Sequence, residues 1–216
     1  MIIIKGKNII IVIVVIIAIL IAGIYYILTP DKKVSINTQS NSITIEELLK
    51  GDFLDSFEIL KNPIRLEGRL LLSESEFRDI VYTVMNNYNI EEFKYSNISL
   101  QEKYIKVISP YKFLNLIDTQ YEVNIYPTIV DNNLYLTLKN FRIGKLKISD
   151  SIVQSVLKSK ANALPFEINK NVIIVDKSYM QPINIKTIDI KDDEVIVYVL
   201  VTTTDIIQFI GDYNTK

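Results

Sequence analysis

The stretch Ile9–Leu28 constrains this chain more than any other. Twenty residues of Ile, Val, Leu, Ala, Gly and Tyr follow one another without a charge. Wound as a helix they are about 30 Å long, the thickness of a bilayer's hydrocarbon core. Only a helix satisfies its own backbone in lipid, so the many β-branched residues do not argue for a strand here. The run predicts a cytoplasmic stub over 1–8, a membrane anchor over 9–29 bounded by Ile9 and Leu28, a stalk over 30–42 and one domain over 43–216.

A cleaved signal peptide has a shorter apolar core and small residues before its cleavage site. Near Ala22-Gly23, Ile21 stands where a small residue is needed, and a lipoprotein signal needs a cysteine that the chain lacks. A buried core helix would show a polar stripe. The run therefore reads as a retained signal-anchor. Lys5, Lys7 and the α-amino group precede it; Lys32 and Lys33 follow it beside Asp31. Long domains translocate whatever their charge, so the expected orientation is N-terminus inside, domain outside, single-pass in the cell membrane. Tyr25 and Tyr26 suit the interfacial aromatic belt, and Pro30 stops the helix.

Composition narrows the chemistry. Among 216 residues there is no histidine and no cysteine. Ser-His-Asp hydrolysis, histidine-bound zinc and Cys-His catalysis cannot be built from such a chain. No catalytic residue is nominated, and an enzyme is the disfavoured reading. Removing Lys5 and Lys7 from 24 basic residues leaves 22 against 25 acids, a net of −3. That balance gives no field to draw nucleic acid. The glycines are too scattered for a phosphate loop, so no cofactor is expected. Asp189, Asp192, Asp193 and Glu194 could hold a divalent ion weakly, but a solvated turn is the preferred reading and no metal is assigned.

Along the domain, Val34–Ser42 is small and polar, as a stalk would be. Ile43–Leu60 predicts two short helical turns, from Thr44-Ile-Glu-Glu47 and from Phe53, Leu54, Phe57 and Leu60. Ile64–Leu72 alternates as a strand, with Gly68 marking a bulge or a close approach. Ser73-Glu-Ser-Glu76 is a capping box opening a helix over Ser73–Tyr88. Its stripe of Phe77, Ile80, Val81 and Val84 should face a sheet. Strands are predicted over Phe93–Leu100, Lys103–Ser109, Tyr121–Tyr126 and Leu134–Leu138, with Pro110 and Pro127 at strand ends. A short helix over Ser151–Lys158 and strands over Val172–Val175, Ile183–Ile190 and Val195–Val201 complete the chain, with a turn at Asp192-Asp193. The expected fold is α+β: an N-terminal transmembrane helix, then a curved, mostly antiparallel sheet packed with one long and one short helix.

From Leu70 to Val201 the order of parts resembles the YpmS-like family of membrane-anchored Gram-positive proteins, whose activity is not established. The parts that carry the resemblance are Leu70–Tyr88, Phe141–Ile148, Ser151–Lys158, Leu164-Pro165-Phe166, Val172–Val175 and Ile183–Val199. The chain departs at Lys147, where the family often has proline. Leu164-Pro165-Phe166 before a strand pair is also similar to TULIP-like, lipid-cradling proteins. That similarity implies a lipid or other apolar ligand at the cell envelope, held between helix and sheet. The unbroken apolar runs over Val172–Val175 and Val195–Val201 read first as central strands buried on both faces; the alternative is a groove lined by Val172, Ile174, Val195, Val197 and Val199. The alternative function is a scaffold that docks another envelope protein through Ile43–Leu60 or the anchor.

Overall fold

The computed structural model describes residues 6–34, 57–87, 95–160, 166–205 and 207, with side chains for all of these except 6–11, 87 and 160. Helix α1 runs from Gly6 to Leu28. Strands β1 (Phe57–Lys61) and β2 (Ile64–Ser73) lead into α2 (Glu74–Asn87). Strands β3 (Asn97–Gln101), β4 (Tyr104–Phe113), β5 (Ile117–Val130), β6 (Asn133–Ile143) and β7 (Leu146–Lys147) follow as a meander. Then come α3 (Asp150–Lys160), β8 (Glu167–Asn169), β9 (Val172–Val175), a 3₁₀ turn over Lys177–Met180, β10 (Asn184–Lys191) and β11 (Glu194–Thr202).

The fold is α+β and every described strand pairing is antiparallel. The strands form two sheets where one curved sheet was expected. One is β1-β2-β11-β10; the other is β3-β4-β5-β6-β9-β8, with β7 paired to β6. The split follows from the connections. Helix α2 lifts the chain off β2 before β3 begins, and the β10–β11 hairpin returns to pair along β2 from Ser73 to Arg65.

The two sheets face each other across one core. Leu72, Val195, Val197, Val199 and Ile190 from the first sheet meet Ile98, Leu100, Ile105, Val107, Val123 and Leu138 from the second. Each fully buried aliphatic chain of this size contributes about 1.5–3 kcal/mol. Gly68 sits opposite Phe57, whose ring lies over it where a Cβ would stand. The close approach expected at Gly68 is thus a cross-strand ring covering a glycine. That pairing makes Phe57–Lys61 a strand, which corrects the helical turn expected over Phe57–Leu60; the rest of that segment, 43–56, lies outside the described residues.

Helix α2 opens as its sequence predicts. The Ser73 amide donates to Glu76 Oε2 at 2.9 Å, and the Glu76 amide donates to Ser73 Oγ at 3.3 Å. Phe77, Ile80 and Val81 pack against the core, but Val84 is 41% exposed and does not face the sheet. Tyr82 takes the buried place, its hydroxyl donating to the Ser96 carbonyl. Burial raises the Tyr82 pKa, so its phenol stays a neutral donor.

Pro110 and Pro127 lie inside β4 and β5, where strand ends were expected. The local neighbours explain both. Strand β3 pairs with β4 only as far as Ile108, and β4 pairs with β5 only as far as Ile125. Each proline therefore stands where its strand has lost one neighbour, and its missing N–H breaks no ladder bond.

Candidate functional site

The chain's least ordinary feature is where α1 ends. A helix leaves its last four carbonyls without intrahelical partners. Here three of those four are met. Thr29 N donates to the Tyr25 carbonyl at 2.9 Å, Lys145 N donates to that of Ile27 at 2.9 Å, and Thr119 Oγ1 donates to that of Leu28. Two of the three donors come from the seven-stranded sheet.

Local sequence explains why the sheet can do this. Gly144 takes a φ of +57° in the β6–β7 turn, and a Cβ there would collide with the Leu28 carbonyl. Only glycine allows both the left-handed turn and the contact. The turn is fixed in turn by Gly144 N, which donates to the Gln120 carbonyl at 2.9 Å. Lys145 then reaches back along α1. Its ammonium lies 3.8 Å from the centre of the Tyr26 ring and 3.1 Å from Asp31 Oδ1. A cation at the negative end of a helix is favourably placed. Its hydrogen bond to Asp31 holds the lysine pKa above the ordinary value.

The joint continues past the helix. Leu28 is 5% exposed and Pro30 is buried, while Tyr25 and Tyr26 remain exposed. Val34 N donates to Gln120 Oε1 at 3.3 Å. The first part of the segment read as a stalk is therefore laid against β5; 35–42 lie outside the described residues. Beside this joint is a cleft of about 370 Å³, lined by Pro30, Val34, Tyr95, Ile108, Pro110 and Tyr111 and also by Lys33 and the paired Lys112 and Asp118. Its size falls in the range of small-ligand sites, about 300–1,000 Å³. A second, more open cleft of about 840 Å³ crosses the outer face of the four-stranded sheet, with Glu58, Glu67, Arg69, Lys186 and Tyr198 along it.

The five expected groove residues do not come together in one groove. Val195, Val197 and Val199 point into the closed core. Val172 and Ile174 are half-buried on β9 of the other sheet, and their neighbour Ile173 is the residue of that strand packed against the core. Alternation turns Val172 and Ile174 to the opposite face. Strand β11 is also covered on one face only, since Tyr198 is 41% exposed. Among the described residues, no three of the acidic side chains gather as a metal site. The residues that do form the joint, Thr119, Gln120, Gly144 and Lys145, gave one signal in the sequence: a glycine between Ile143 and Lys145 in a strand-like run.

Among the described residues no helix is long and apolar enough to cross a membrane. The described side chains of α1 run only from Val12 to Leu28, whereas its backbone helix is 23 residues. No family model, curated protein or solved structure matches the chain.

Proposed function

We propose that this is a single-pass, signal-anchored protein of the cell envelope, with its N-terminus inside and its α+β domain outside. It works without catalysis and holds a lipid or other apolar ligand beside its own anchor. The observation that carries the reading is the joint: the end of α1 is built into the sheet, next to a largely apolar cleft that also holds Lys33, Lys112 and Asp118. An anchor that served only as an address would need no such fit. The absence of histidine and cysteine supports a binding role over an enzymatic one. The order of elements behind the anchor keeps the resemblance to the YpmS-like family as part of this reading.

The test uses the full chain, extracted from membranes in mild detergent and analysed for bound lipid by mass spectrometry. Lipid should co-purify and should be lost in Ile108→Glu, which places a charge in the cleft wall. A clean extract from the native chain, or retention by the variant, would sink the proposal.

A scaffold role is the second reading, favoured by the charged cleft on the outer face of the four-stranded sheet. Crosslinking from Tyr198 in cells would then trap one dominant envelope partner, and a monomer throughout would count against it.

A further inference from the structure

The geometry points to a second membrane contact: the tip of the β4–β5 hairpin inserts into the bilayer interface beside α1. This rests on the membrane reading above and adds a membrane-contacting element that the anchor does not require.

The tip is placed for it. Thr119, which holds the Leu28 carbonyl, is three residues from Leu116, about 10 Å along an extended strand. The β4–β5 ladder continues to Phe113–Ile117, whereas the β5–β6 ladder stops at Tyr121–Ile143. The hairpin therefore overhangs the end of the sheet at which α1 attaches. The chain leaving α1 stays beside the hairpin: Val34 N donates to Gln120, and Lys33 and Val34 share a cleft with Lys112 and Asp118 just behind the tip. The polar region on each side of a bilayer is only about 5–7 Å thick, so a 10 Å overhang crosses it.

The tip is also composed for it. Leu116 is 81% exposed and Leu114 is 72% exposed. Leu114 and Asn115 have φ of +50° and +58°, and Leu116 N donates to the Phe113 carbonyl. Positive φ at two successive turn residues favours Asn, Asp or Gly. Two other hairpins obey that preference, with Asp131-Asn132 between β5 and β6 and Asp192-Asp193 between β10 and β11. Leu114 is the one apolar side chain among the described non-glycine residues at positive φ. An exposed leucine in a conformation that disfavours it serves neither the turn nor the core. Lys112, paired with Asp118 just behind the tip, is placed to reach lipid phosphates.

A chain without cysteine allows single labels to be placed at will. The full-length protein would carry one environment-sensitive fluorophore at Leu116→Cys, Leu114→Cys, Ile17→Cys or Asn132→Cys, in phosphatidylglycerol–phosphatidylcholine vesicles with nitroxide lipids of known depth. Asn132 stands at the far end of β5, about 45 Å from the tip. Labels at Leu114 and Leu116 should be quenched by shallow nitroxides about three-fold more than the label at Asn132, as burial of about 5–10 Å into the headgroup boundary requires. The Ile17 label should respond to deep nitroxides. If Ile17 is deep and the tip labels behave like Asn132, the second contact is overturned and the anchor stands. If Ile17 is not quenched, the anchor reading fails and this inference with it. Tip labels shielded from aqueous iodide yet untouched by nitroxide lipids would mean a protein covers the tip, which also overturns it.

Discussion

Replacing Gly144 by alanine separates the turn from the joint. The residue stands at φ +57°, where a Cβ costs about 1–2 kcal/mol. That cost falls on the β6–β7 turn. The new Cβ also collides with the Leu28 carbonyl, so the end of α1 must move off the sheet. Two hydrogen bonds go with it, Lys145 N to Ile27 and Thr119 Oγ1 to Leu28. At about 0.5–1.5 kcal/mol each they amount to about 1–3 kcal/mol, a roughly 5- to 150-fold change in the docked population. Asn140→Ala supplies the control: its φ is +55° and it already carries a Cβ, so the change removes only asparagine's tolerance of the left-handed region and adds no collision. Hydrogen exchange read on peptides spanning Lys145 should speed up by that factor in Gly144→Ala and stay near native in Asn140→Ala. Equal protection in the two variants would refute the reasoning, because the collision would then have no consequence.

Tyr82→Phe removes one buried hydrogen bond, to the Ser96 carbonyl, and should lower stability in urea by about 0.5–1.5 kcal/mol with an unchanged m-value. Val195→Ala empties two methyl groups from a fully buried site and should cost about 2–3 kcal/mol; Tyr198→Ala, on the outer face of the same strand, should cost well under half as much. The Lys145–Asp31 contact predicts a direction with pH. A raised lysine pKa contributes stability that is complete below the ordinary value of 10.5 and is lost as pH rises through the raised one. Exchange at Lys145, corrected for the intrinsic rate, should therefore hold level over about pH 6–9 and climb only in the alkaline range. A loss of protection near neutrality would place the control of the joint elsewhere.

Local chemistry was legible in the sequence wherever it was self-contained. The capping box at Ser73, the bounds Val172–Val175 and the turn at Asp192-Asp193 each depend on a few adjacent residues. What escaped depends on partners distant in the chain. Pro110 and Pro127 read as strand ends because nothing nearby says where the neighbouring strand stops. Periodicity put Val84 inside and missed Tyr82, whose burial is allowed by a carbonyl 14 residues on. The place of β11 between β2 and β10 turns one expected sheet into two and closes the core over Val195, Val197 and Val199. The joint was the least legible of all. Thr119 lies 91 residues from Leu28, and neither residue type signals the contact. Gly144 alone hinted that something approaches the backbone there.

The joint requires α1 and the domain to move as one body. Spin labels at Ile24→Cys and Asp193→Cys, in the full chain reconstituted into vesicles, would report the distance between the last turns of α1 and the far hairpin of the four-stranded sheet. The joint predicts one narrow distance distribution, which broadens in Gly144→Ala. A broad distribution in the native protein, as from a domain swinging on a tether, would contradict it.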